Sequence, residues 1–303
     1  MTTVFRADYQ APAYLVDDTS LVFELNPDRT LVTSTLKLRQ NPHAAERNTT
    51  LTLDGEHLEL LSLSLDGQPL AKSAYTLDAK TLSIAHFPQQ AALTIKTAIC
   101  PASNSELTGL YVSNDTFFTQ CEAEGFRRIT FFPDRPDVMS RYTVEIHAEQ
   151  SRFPVLLSNG NLLSSGPSAH RRGWHFAQWA DPHPKPSYLF ALVAGKLVPT
   201  ESHHTTPSGR TSLLQVWVAP GDEDKTAHAM ACLKQAIEWD ETRFNLELDL
   251  DRFMIVASHD FNMGAMENKG LNIFNARYVL ANPSIATDDD YAHIESIVAH
   301  EYF

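Results

Sequence analysis

Cysteine is scarce: Cys100, Cys121 and Cys232 are the only three in 303 residues. They are odd in number and far apart, which excludes a disulfide framework and points to a reducing compartment, so a cytoplasmic location is expected. Cys121 has no histidine at a motif-like spacing and reads as a buried thiol rather than a nucleophile. Positive charge is also short. Lys and Arg number 24 against 37 Asp and Glu, leaving a formal charge of −13. With no basic run, a nucleic-acid partner is not expected. The opening MTTVFRADYQAPAY has no apolar signal core, and no apolar run is long enough to span a bilayer, so no membrane partner is expected either. There is no internal repeat and no low-complexity segment, and a monomer is the expected state.

What is present is enough apolar residue, 43%, to bury large cores in a chain whose length suggests two domains. From Leu21 to about Val198 short alternating runs dominate: LVFEL at 21–25, LVTSTLKLR at 31–39, LELLSLSL at 58–65, TLSIAHF at 81–87 and LTIKTAI at 93–99. Turn pairs such as Asn26-Pro27, Asp54-Gly55 and Asp66-Gly67 separate them. This predicts a mainly β amino-terminal domain, an antiparallel sandwich or saddle. Residues 119–141 interrupt the pattern with Arg127, Arg128, Asp134 and Arg135, which read as a salt-bridged loop. A proline-rich stretch at 181–186 gives way to strand-like residues, and the boundary is expected near Gly195, dividing the chain into 1–196 and 197–303. Beyond it, 213–219 reads as a strand and 222–244 as a helix with Met230, Leu233, Ile237 and Phe244 on its apolar face.

The last fifty residues are the most informative. FMIVA at 253–257, LNIF at 271–274 and YVL at 278–280 read as short strands, and 258–270 as a loop feeding an edge strand. The final segment predicts a helix: Thr287 caps it, Asp290 stands at the capping-box position, and Asp288 and Asp289 complement the dipole. Tyr291, Ile294, Ile297 and Val298 would bury one face. His300 and Glu301 follow, the first half of H-E-x-x-H, in which two histidines four apart grip one Zn²⁺ and the Glu reaches the bound water. The second His would stand just after Phe303. His203 and His204, expected in a surface loop, and His293, expected on an exposed helix position, lack motif support as metal ligands.

NMGAMENKGLNIFN at 262–275, followed about two dozen residues later by HEYF at 300–303, resembles the zinc aminopeptidase N family, and most nearly its bacterial cytoplasmic alanyl members. GAMEN is that family's exopeptidase signature. QCEAEGFR at 120–127 resembles its second substrate-binding element, and DRPDV at 134–138, LLSNGN at 156–161 and KPSYLFALVAG at 185–195 extend the resemblance along the chain.

The resemblance implies that 197–303 is the front of an α+β, thermolysin-like catalytic domain. It implies His300 as one of three zinc ligands, Glu301 as the catalytic base, and Glu267 and Glu122 as the carboxylates that hold a substrate's free α-amine, with Gln120 assisting. The backbone at Gly264 and Ala265 would pair with an extended peptide. Met263 would cushion the first side chain, while Met266 and Asn268 complete the motif. The implied partners are peptides with a free amino terminus and the implied cofactor is zinc, the other zinc ligands and an oxyanion tyrosine being expected beyond Phe303; the chain alone is expected to hold no catalytic zinc and hydrolyse nothing. Other readings are a bifunctional leukotriene hydrolase, a thermolysin-type endopeptidase and a non-catalytic β scaffold. The scaffold reading predicts no convergence of Glu122 with Glu267.

Overall fold

Alternation of side chains dictates the first sheet. Over Thr30–Gln40 every second residue from Thr30 to Leu38 is buried, the period of a strand with one face on a core. A computed structural model describes residues 5–44 and 49–303; the first four residues of the opening stretch lie outside it. Eight strands form the sheet in the order Asn161–Pro167, Trp174–Lys185, Ser140–Glu149, Tyr14–Glu24, Thr30–Gln40, Gln90–Ile99, Glu59–Leu65 and Gln68–Pro69. Its pairings are antiparallel, as expected, with the one exception that Tyr14–Glu24 runs parallel to Ser140–Glu149. A three-stranded sheet (Leu51–Asp54, Thr81–Ile84, Tyr75–Leu77) and a four-stranded sheet (Val155–Ser158, Leu192–Gly195, Thr116–Gln120, Gly109–Ser113) complete this mainly β part.

An aromatic cluster closes the core beneath the irregular 121–139 stretch. Phe126 meets Phe132 edge-on at 5.0 Å and Phe190 at 5.2 Å. Above it, the Arg127 guanidinium donates to Asp134 at 3.1 Å and the Ser187 hydroxyl to the other Asp134 oxygen at 2.5 Å, so the expected salt-bridged loop is present. Cys121 is buried there and burial drives its thiol pKa well up, in keeping with an inert thiol.

A further sheet, of five strands, begins after Gly195, in the order Val198–Thr205, Thr211–Val218, Arg252–Ser258, Leu271–Asn275, Ala265–Met266. Both of its faces are covered. Leu214, Val216, Phe253 and Ile255 pack with helices α1 (Ala227–Phe244) and α2 (Asp288–Tyr302). Met254, Val256, Leu271 and Ile273 join the core of the mainly β part. Burial on both sides explains the continuous apolar run of 253–257.

Several local expectations need correction. Residues 276–278 form a 3-10 turn rather than the start of a strand, because the Asn275 side chain accepts the Arg277 N–H at 3.1 Å and turns the chain. The 187–189 segment is likewise a 3-10 turn, closed by the Phe190 N–H on the Ser187 carbonyl. His203 and His204 lie in a strand, not a loop, and His204 Nε2 sits 3.0 Å from both carboxylate oxygens of Glu241 on α1. Phe244 is 56% exposed, since Asn245 takes a left-handed conformation and ends the helix there.

Asp181 and Lys185 form an ion pair at 3.0 Å with both side chains almost wholly buried, and the ammonium lies 4.1 Å from the Tyr142 ring centre. Burial pulls the Lys185 pKa down to about 8, while Asp181 opposes that fall. Removing the anion strands a buried cation. Asp181→Asn is therefore expected to lower unfolding stability by about 3–5 kcal/mol, measured by urea titration.

Candidate active site

The helix that carries His300 and Glu301 is set by local chemistry at its start. Thr287 Oγ1 accepts from the Asp290 N–H at 3.2 Å and Asp290 accepts from the Thr287 N–H at 2.9 Å, a complete capping box. Ile294 and Val298 are buried and fix its rotation, with Tyr291 and Ile297 half-buried beside them. Glu301 consequently faces the sheet and is buried, while His300 points to solvent. The Asn272 amide, on the strand Leu271–Asn275, donates to the Glu301 carbonyl at 3.0 Å and ties the end of α2 to the sheet. Glu301 Oε2 is buried without a partner.

The motif at Gly264–Asn268 includes the outermost strand of the same sheet. Ala265 pairs with Phe274 and Met266 with Ile273, and the Asn275 N–H donates to the Gly264 carbonyl at 2.9 Å. The outer side of this strand has no neighbour among the described strands. A Cβ built on Gly264 would lie 3.4 Å from the Tyr278 ring, so the backbone there runs beside that side chain. Met263 is 44% exposed and Met266 is buried. Glu267 is exposed, whereas Asn268 is 1% exposed with neither amide atom partnered.

From the mainly β part, Gln120 arrives at the end of the strand Thr116–Gln120. Its amide donates to Met263 Sδ at 3.2 Å and Met266 Sδ at 3.7 Å. It is turned onto the two methionines and away from open solvent, and its carbonyl oxygen is left unpartnered. Glu122 follows on an exposed turn, after which the Glu122–Ala123 peptide is cis.

Electrostatics connects these pieces. Burial first, then the charge of Glu267 and that of Glu122, push the Glu301 carboxyl up to about 7 against an opposing pull from His300. The same two carboxylates, after burial, raise the Tyr188 hydroxyl above its ordinary range. Glu122 and Glu267, 145 positions apart in sequence, therefore act on the same two groups. Glu267 and Glu301 also line one cavity of about 340 Å³ together with Asn272, Phe253 and Tyr302; Glu122, Gln120 and His300 do not line it. Tyr188 and Asn272 were not singled out by the sequence: both lie inside recognisable stretches, yet nothing in their spacing marks them.

Among the described residues no three His, Cys, Asp or Glu side chains are grouped to hold a metal ion. His300 stands as a lone donor, and a catalytic zinc takes three protein ligands. The residues present do not make a zinc site.

A mainly β part followed by a mixed sheet with a capped His-Glu helix and a GAMEN edge strand places this chain with the peptidases. The chain belongs to peptidase family M1: the model of the M1 N-terminal domain matches residues 13–189 and that of the M1 peptidase domain matches 228–303. It is 53% identical to aminopeptidase N of Caulobacter vibrioides over 98% of this chain and 34% of that protein. It is 47% identical to aminopeptidase N of Escherichia coli over 99% of this chain, again 34% of that protein. In fold it matches the crystal structure of Legionella pneumophila aminopeptidase A in complex with aspartic acid, with a TM-score of 0.92 and 36% identity, over 98% of this chain and 35% of that one. The chain thus spans about a third of the length of these relatives. The family resemblance read from the motifs is borne out. Family members are zinc-dependent in general and act on peptides. No helix among the described residues is long and apolar enough to cross a membrane.

A carboxyl whose pKa is raised in the folded state favours folding while protonated. From an ordinary value of 4.5 to about 7, ionisation of Glu301 is resisted by the fold, so its contribution to stability is complete below about 4.5 and is lost as pH rises through about 7. Glu301→Gln is expected to flatten that part of the stability–pH curve, and Glu267→Gln to shift its midpoint downward; thermal melts from about pH 4 to about pH 9 check both.

Proposed function

We propose that this chain is the amino-terminal portion of a cytoplasmic, monomeric zinc aminopeptidase that removes residues from the free amino end of peptides, with broad, alanyl-type preference. The division at 1–196 and 197–303 belongs to this reading, supported by the change of sheet between Gly195 and Val198. The observation that carries it is the joint action of Glu122 and Glu267 on Tyr188 and Glu301. Two carboxylates beside a buried third create a place where a protonated amine relieves repulsion while forming charge-assisted hydrogen bonds. A peptide extended along the edge of Ala265–Met266 would pair with its backbone, which the lack of a neighbouring strand on that side, among the described residues, supports. Met263, exposed and soft, would receive the first side chain, with Met266 and the Gln120 amide behind it and Asn268 closing the segment.

Glu301, whose carboxyl changes charge near neutrality, is the proton acceptor in this reading. His300 is one zinc donor of the whole protein, and two further ligands must come from outside these residues. The scaffold alternative gives Glu122 and Glu267 no shared task, and their coupling weighs against it. An endopeptidase would not need an amine site.

An amino-acid amide with a free amine is expected to bind this chain, its acetylated analogue to bind at least about tenfold more weakly, and Glu267→Gln to erase the difference. Calorimetry checks this, and equal binding of the two analogues overturns the reading. With zinc added, the chain alone is expected to release no chromophore from an amino-acid amide above the buffer rate.

A further inference from the structure

The turn at 158–161, Ser-Asn-Gly-Asn, joins the strands Val155–Ser158 and Asn161–Pro167, and no role assigned above uses it. It is built to bind backbone. The Asn159 amide nitrogen donates to the Leu189 carbonyl at 3.0 Å and to the Lys269 carbonyl at 3.0 Å, and its oxygen accepts the Ala191 N–H at 2.7 Å. Asn159 is 2% exposed, so these bonds are shielded from water. Gly160 has φ +84, and a Cβ there would fall 2.2 Å from the Ala180 carbonyl oxygen; only glycine lets the turn sit this deep. Next to it, Asn161 Oδ1 accepts the Asp251 N–H at 3.0 Å, at the start of the strand Arg252–Ser258.

One planar amide therefore bridges two segments that matter to the site. Leu189 follows Tyr188 directly, and Lys269 follows Asn268 at the end of the Glu267 segment. The far end of that segment is held to the same part of the molecule: Ser113 Oγ donates to the Asp260 carboxylate at 2.5 Å and the Tyr111 hydroxyl to the Asp260 carbonyl at 3.3 Å. Between these two anchors lie Met263 to Asn268. Glu122 comes from the anchoring side, so the distance from Glu122 and Tyr188 to Glu267 is set across Asn159.

We propose that Asn159 is a positioning residue that holds the Glu267 segment in register with Tyr188 and Glu122, and so sets the geometry of the amine site; this rests on the reading of that site given above. Asn159→Asp keeps the shape and the acceptor but places an oxygen against two carbonyls. In the 303-residue chain, hydrogen exchange of the amides from Met263 to Leu271 is expected to quicken by roughly tenfold or more, with those of α1 unchanged. The preference for a free over an acetylated amino-acid amide is expected to fall towards one, whereas a general loosening would weaken both ligands alike. Wild-type exchange in this segment overturns the proposal, as does faster exchange with the preference intact. Should Asn159→Asp fail to fold, Asn159→Ala, which removes the donor without adding charge, takes the same two measurements with the same decisive outcomes. A wild-type chain that shows no preference sinks the amine reading instead, and the exchange result still decides whether Asn159 holds the segment.

Discussion

Like charges held near one another in a partly dry place are the constraint on which this structure turns. Glu267 and Glu122 raise the cost of ionising Glu301, and in an unstructured chain nothing would bring the three together. The fold opposes that repulsion with packing. The central strands of the five-stranded sheet are buried on both faces, towards the helices through Phe253 and Ile255 and towards the mainly β part through Met254 and Val256. Each such side chain contributes on the order of 1.5–3 kcal/mol by leaving water, enough together to hold charged groups where they would not otherwise stay.

The same packing explains why the site straddles two parts of the chain. Glu301 and Glu267 are brought together within one sheet-and-helix unit, the first by the Asn272 tie to the end of α2, the second by the edge strand paired with Leu271–Asn275. Glu122 and Tyr188 come from the mainly β part, reached only because the sheet's other face is sealed onto that part. The buried Asp181–Lys185 pair and the Asp134 network lie on that side of the molecule, each charge met by a partner, while the site carboxylates have no cation bonded to them among the described ion pairs. An unmet acidic group beside a well-satisfied framework is what a cationic ligand requires.

Local chemistry was legible in the sequence and tertiary chemistry was not. The capping box of Thr287 and Asp290, the buried strand at 253–257 and the inert Cys121 depend on neighbours within a few residues or on apolarity alone. Strand-like residues at 278–280 misled because one side chain, Asn275, captures a backbone N–H and turns the chain before a strand can form. His204 could not be placed because its partner, Glu241, arrives from a helix 37 positions on. Glu122 and Glu267 were legible only through whole motifs that resemble a known family. Asn159, inside a stretch that carried the same resemblance, shows its bonds only once the strands on either side are in place.

In the proposed reading, Glu122 and Glu267 together form a site for a cation that is electrically coupled to Glu301. Carboxyl-carbon NMR of Glu301, titrated with and without an amino-acid amide, tests it most directly. The free-amine compound should bring the Glu301 midpoint down from about 7 towards the ordinary carboxyl range, and its acetylated analogue should leave it in place. A midpoint that ignores the amine, or that moves equally for both compounds, contradicts the account.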